Sequence, residues 1–145
     1  MNFKKILLFI ILFTIANINF AQTKSSKPIT KPYIGTFYGL QESHSIGKFR
    51  GEDIIVPDAD YRFYLDNKNE VELAQSANGQ TYYYLGKYLV RKMSNGDFLV
   101  TCNVTSYPKK GSNPTFRLTF KSDGKILCNQ TTDIIKPTFE LEKRD

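Results

Sequence analysis

From about residue 33 to the C-terminus, apolar and polar residues alternate in short runs, and the runs are parted by residues that reverse a chain. Successive side chains of an extended strand point to opposite faces, so alternate apolar positions mark a half-buried strand. Tyr61, Phe63 and Leu65 share one face opposite Arg62. Phe98, Val100, Cys102 and Val104 share another, opposite Thr101, Asn103 and Thr105. Phe116, Leu118 and Phe120 stand against Arg117 and Lys121, and Phe139 and Leu141 against Glu140 and Glu142. The pattern predicts strands over 33–41, 59–66, 69–76, 80–92, 97–106, 115–121, 124–131 and 138–144. The separators DNKN (66–69), ANG (77–79), SNG (94–96) and SDG (122–124) hold Asn-Gly and Asp-Gly steps that accept the positive φ of tight hairpins.

No stretch after the N-terminal segment keeps a 3.6-residue apolar period for three turns, so no substantial helix is expected. One dry face and one wet face on eight strands joined by short turns predict an all-β fold. Such a set of strands removes its edges by closing into a single antiparallel up-and-down barrel. The longest connection, Gln41 to Asp58, reads as a loop over one end.

Two segments of the second half match each other. Asn95-Gly96, Cys102-Asn103-x-Thr105 and Pro114-Thr115-Phe116-x-Leu118 return as Asp123-Gly124, Cys128-Asn129-x-Thr131 and Pro137-Thr138-Phe139-x-Leu141. One hairpin plan used twice would produce this, and so would chance among hairpins that draw on the same residues. The two cysteines fall on the fifth and seventh predicted strands. A meander puts one strand between them, a separation of about 9.5 Å. A disulfide spans only roughly 4.4–6.8 Å between Cα atoms. Two inward thiols are therefore expected, against the preference of an oxidising compartment for a disulfide.

The first residues change the picture of where the chain works. Lys4 and Lys5 precede an apolar run from Ile6 to about Ala16 and a short polar stretch ending in Ala21. That order predicts a secretory signal peptide over 1–21, and the run is shorter than the roughly 20 residues of a membrane span. A polar leader, 22–32, and one β-barrel domain, 33–145, would follow, in a secreted or periplasmic protein. Without its first 21 residues the chain keeps 124 of 145, enough for one domain with its own core. The removed segment holds two of the 20 basic residues and no acidic one, so the remainder carries 18 basic against 14 acidic, a charge of +4. The basic residues are scattered, which argues for a solvated surface and against nucleic acid as a partner.

Gly35-Thr36-Phe37 at the start of the first strand resembles the Gly-x-Trp that opens lipocalins and their calycin relatives, with Phe in place of Trp. The resemblance implies an eight-stranded cup, a lid in the 41–58 connection, and Lys143 or Arg144 as the basic residue that packs on the ring in the tryptophan place, here Phe37. Small periplasmic barrels of the lysozyme-inhibitor kind share the same outline. The Phe20-Ala21-Gln22 junction and the richness in Lys, Asn and Ile resemble secreted proteins of Bacteroidetes-type bacteria.

The densest aromatic segment is TYYYLGKYLVRKM, 81–93. Tyr82, Tyr84, Tyr88 and Val90 take one face of that strand, with Gly86 leaving a gap that suits a bulge or a ligand; Tyr83, Leu85 and Leu89 take the other. With Tyr61 and Phe63, the residues Tyr82, Tyr84 and Tyr88 form the candidate binding set for a small hydrophobic or amphipathic ligand, and the alternative is that the rings fill the core. The 41–58 connection carries the single histidine, His44, with Lys48, Phe49 and Arg50, a set suited to a protein partner. A lone histidine beside Ser43 and Ser45 falls short of the nucleophile, base and orienting group that hydrolysis needs. Glu52, Asp53, Asp58 and Asp60 lack the spacing of a calcium loop. Two cysteines and one distant histidine fall short of a zinc site. No catalytic residue, metal or cofactor is expected.

Two functions stay open: a monomeric lipocalin-like binder of a small hydrophobic ligand, and a protein-binding inhibitor or immunity-type module acting on a cell-envelope enzyme. An open interior lined by the tyrosines favours the first; a solid interior with Phe49 and Ile54 exposed favours the second.

Overall fold

A computed structural model of the chain describes residues 31–108, 113–131 and 138–144. The segment expected to be a signal peptide, most of the expected leader, Pro137 and Asp145 lie outside the described residues. The described part holds ten strands and no helix: β1 (Gly35–Gln41), β2 (His44–Phe49), β3 (Glu52–Val56), β4 (Ala59–Leu65), β5 (Glu70–Ala77), β6 (Gln80–Lys92), β7 (Phe98–Tyr107), β8 (Thr115–Phe120), β9 (Ile126–Gln130) and β10 (Thr138–Lys143). Eight of them close an antiparallel barrel in the order β1, β4, β5, β6, β7, β8, β9, β10 and back to β1. The barrel is thus an up-and-down meander, and its strands start and stop within two residues of the ranges that the alternation predicts.

One expectation needs correction. The 41–58 connection is not a simple loop: β2 and β3 pair with each other as a separate two-stranded sheet. We call this hairpin the arm. It leaves the barrel between β1 and β4, at the end formed by the C-terminal ends of β1, β5, β7 and β9.

The inward set fills the barrel. Phe37, Tyr61, Phe63, Leu65, Val71, Leu73, Tyr88, Val100, Phe116 and Leu118 are all buried in one cluster with both cysteines. Phe63 meets Phe116 edge-on at 5.4 Å between centroids, and Tyr61 stacks on Phe139 at 4.7 Å. Such offset and edge-on pairs add roughly 0.5–1.5 kcal/mol each beyond the area they bury. The end away from the arm is stoppered by Tyr33, whose ring packs against Tyr88, Phe98 and Phe120. The Tyr88 hydroxyl donates to the Asp66 carbonyl. In the same turn, Asp66 Oδ1 accepts the backbone N–H groups of Lys68 and Glu70, both at 2.8 Å.

Gly86 has a backbone reason. A Cβ there would lie 2.0 Å from the Asn103 carbonyl oxygen and 2.8 Å from Val104 Cα. The space beside it belongs to β7 rather than to a ligand.

Cys102 and Cys128 are free and buried. Their strands flank β8, with Cys102 opposite Phe116 and Cys128 opposite Leu118. The matched segments around them are also matched in space. Asn103 pairs with Thr115 and Asn129 with Thr138, and each pair is joined side chain to side chain. Thr115 Oγ1 donates to Asn103 Oδ1 at 3.3 Å, and Asn129 Nδ2 donates to Thr138 Oγ1 at 3.1 Å. The β7–β8 and β9–β10 hairpins follow one plan.

Candidate functional site

The aromatic set proposed from β6 is divided by the structure. Tyr61, Phe63 and Tyr88 are buried inside the packed interior. Tyr84 is half-buried, and its hydroxyl donates to Gln75 Oε1 at 3.5 Å at the end of the barrel from which the arm leaves. Gln75 Nε2 donates to the Tyr61 hydroxyl at 3.0 Å, and that hydroxyl donates to Gln41 Oε1 at 3.1 Å. This chain satisfies the polar tips of rings whose bodies sit in the core, so the mouth is closed by hydrogen-bonded side chains rather than left open. Tyr82, at the same end, is half exposed and bonded to Gln80 Oε1 at 2.7 Å. The five residues therefore do not line a shared cavity: Tyr61 and Tyr84 close the mouth region from β4 and β6, Phe63 and Tyr88 fill the interior, and Tyr82 stands half exposed at the rim of the same inward face.

The arm brings the second set together. Phe49-Arg50-Gly51-Glu52 is its tip, with positive φ at both central residues, 52° at Arg50 and 88° at Gly51. Two positive values in succession define the type I′ turn that matches the twist of paired strands. The Asn78-Gly79 turn of the barrel has the same form, with φ of 51° and 72°. Asparagine tolerates this region, whereas most side chains are strained there, at about 1–2 kcal/mol. Arg50 is held in a conformation that costs it something. Its guanidinium carbon lies 5.3 Å from the Phe49 ring centroid, a cation–π contact.

Register sorts the arm's two faces. His44 pairs with Val56 and Phe49 with Glu52; alternation along β3 adds Ile54 to that face. Ser45 pairs with Ile55 and Lys48 with Asp53 on the other. The register shifts between Ser45 and Lys48, where Gly47 takes a φ of 138°. The apolar residues here stay in solvent: Phe49 is 63 % exposed, Ile55 55 % and Ile54 42 %.

His44 stands at the arm's base. Its Nδ1 lies 3.1 Å from the Glu42 carbonyl oxygen, and its Nε2 is buried without a hydrogen-bond partner among the described residues. Ser45 Oγ is turned to the Gly47 carbonyl, at 3.3 Å, and to Asp53 Oδ1, at 3.4 Å, instead of to His44. Neighbours in a strand point apart, so the two do not form a nucleophile and its base. Lys48 and Arg50 are exposed beside Phe49.

No family model, no curated protein and no solved structure matches the chain. The basic residue expected on Phe37, the ring in the tryptophan place, is not found on it: Arg144 lies over the neighbouring Tyr38 instead. It packs its guanidinium carbon 5.1 Å from the ring centroid of outward Tyr38, while Phe37 points inward against Phe120 at 5.1 Å. The thiols are chemically quiet. Burial pushes Cys102 up to about 12 from its ordinary value of 9.0, and burial, with the neighbouring Cys102, also raises Cys128 well above that value. Among the described residues, no group of three or more His, Cys, Asp or Glu is placed to hold a metal ion, and no helix is long and apolar enough to cross a membrane.

Sequence reasoning found the tip residues and missed the hairpin that presents them. The signal it passed over was Gly47 and Gly51 on either side of Lys48-Phe49-Arg50, followed by the β-branched run Ile54-Ile55-Val56.

Proposed function

We propose that the protein is a non-enzymatic, protein-binding module of the secreted or periplasmic space. Its barrel is the rigid scaffold and its arm grips the partner, in the manner of an inhibitor or immunity-type protein acting on a cell-envelope enzyme. The observation that carries this reading is the exposed Phe49, flanked by Lys48 and Arg50 on a type I′ turn at the tip of a hairpin outside the barrel sheet. Aromatic residues and arginine dominate the energetics of protein interfaces. An isolated two-stranded hairpin is marginal in water, and a partner surface covering Ile54 and Phe49 would supply the burial that the arm lacks. The alternative, a small hydrophobic ligand held inside the barrel, requires room where Tyr61, Phe63, Phe116 and Tyr88 pack instead.

The test is photo-crosslinking from position 49 in the native cell envelope, with native mass spectrometry of the purified protein alongside. A single captured protein that also co-purifies with the chain, and no longer co-purifies when residues 44–56 are replaced by a short Gly-Ser link in a barrel that still melts normally, supports the reading. Co-purification of that protein that survives the replacement, or a tightly bound small molecule that survives it, overturns the reading.

A further inference from the structure

The outer wall of the barrel carries a second feature, away from the arm and built from other residues. Strand register aligns outward side chains in rows across neighbouring strands. Tyr38, Arg62, Ala74, Tyr83 and Tyr107 are successive partners across β1, β4, β5, β6 and β7. Thr36, Tyr64, Glu72, Leu85 and Thr105 form the next row over the same strands. Each row crosses four strand spacings, about 19 Å at roughly 4.8 Å per spacing. Where the rows meet around Ala74, the small side chain leaves a depression of about 270 Å³ walled by Tyr38, Tyr64, Tyr83, Arg62 and Glu72.

The chemistry of the walls narrows the ligand. Tyr64 and Tyr83 are about half exposed, and the Arg144 guanidinium buttresses the Tyr38 ring. Tyrosine offers an apolar face with a hydroxyl at its tip. Arg62 and Glu72, exposed on adjacent strands, make no ion pair and no side-chain hydrogen bond among the described residues, so a donor fork and an acceptor are both available to a ligand. A lipid chain would need an enclosed apolar pocket, and this wall is open. A nucleic acid strand would need several cations along its backbone, and here one arginine faces one glutamate. A pyranose ring meets both requirements: its C–H face stacks on an aromatic ring and its hydroxyl rim both donates and accepts. The depression is smaller than the roughly 300–1,000 Å³ of sites that enclose a whole ligand, and the rows of outward side chains continue past it on neighbouring strands, which suits an extended chain of rings.

We propose that the wall of β1, β4, β5 and β6 is a carbohydrate site, taking a β-linked oligosaccharide across Tyr38, Tyr64 and Tyr83 with Arg62 and Glu72 on its hydroxyls. The test is an amide-resolved NMR titration of the full protein with chitohexaose and with cellohexaose. At millimolar sugar, at least one of the two shifts amides around residues 38, 62–64, 72–74 and 83–85. Ala74→Phe, which fills the depression, abolishes the shifts at an unchanged urea midpoint. Tyr83→Ala weakens binding at least tenfold, Tyr83→Phe keeps most of it, and F49A changes nothing. Silence toward both sugars, shifts that persist in A74F, or sugar-independent line broadening that grows with protein concentration and marks a second copy seated on this wall, each overturns the proposal.

Discussion

The barrel and the arm are both made of alternating antiparallel strands, and each has a type I′ turn, yet they spend their apolar residues differently. Along β4 every second residue from Ala59 to Leu65 is buried; along β2 and β3 none is. The arm is no less apolar for that, since it carries Ile46, Phe49, Ile54 and Ile55. Alternation by itself therefore does not make a core: a strand face is buried only when a third surface closes over it. In the barrel that surface is the opposite wall; the arm has none of its own. Apolar residues that contribute nothing to folding are the ones available to a partner.

The hardest way to test this contrast is to remove volume from each region. Phe63→Ala should cost about 3–5 kcal/mol of stability in urea unfolding, because the ring is fully buried against Phe116 and Tyr61 and leaves a cavity. A loss below about 1 kcal/mol would mean that the interior is loose enough to admit a ligand after all. Next comes Gly86→Ala. The added methyl has to displace the β7 backbone at Asn103 and should cost about 2–3 kcal/mol. If it is instead neutral, the gap at Gly86 is real space and the small-ligand reading regains its ground.

The thiols sharpen the same contrast through pH. Each is held neutral by burial, with the folded value for Cys102 near 12 against 9.0 for an unburied thiol. Above pH 9 the unfolded chain releases thiol protons that the folded chain keeps, so unfolding becomes more favourable as pH rises. The stability from this source is complete below pH 9 and is lost progressively between about pH 9 and 12. Cys102→Ala should flatten that part of the pH profile. A disulfide reagent should leave both native thiols unmodified at neutral pH and reach them only in denaturant.

These regions were not equally legible in the sequence. The barrel strands follow from period-2 runs and Asn-Gly or Asp-Gly turns, and the meander follows from their short spacing; together they place Cys102 and Cys128 one strand apart without a disulfide. The arm escaped because its alternation is broken at Gly47 and its turn is written Arg-Gly, a poor turn signal. The tyrosine wall escaped for another reason. Strand faces can be read locally, so Tyr83 and Leu85 are recognisably outward, but which outward residues become neighbours depends on barrel register. Tyr38, Arg62, Ala74 and Tyr83 are neighbours only once four strands are paired.

The smallest expected change in stability belongs to the arm's tip, where it separates a residue kept for folding from one kept for contact. Arg50 and Asn78 occupy equivalent positions in two type I′ turns. Asparagine is the residue that this conformation favours, so Arg50→Asn relieves strain and should raise the hairpin's protection against amide exchange, by no more than about 1 kcal/mol. Exposed Phe49→Ala should change global stability by less than about 0.5 kcal/mol. If the arm served the fold, the first substitution would be an improvement and the second a harmless loss. If the arm serves a partner, both abolish or sharply weaken co-purification of that partner, the better-folded R50N as much as F49A. A variant that folds more firmly and binds less would show that the strained arginine is kept for what it touches outside the molecule.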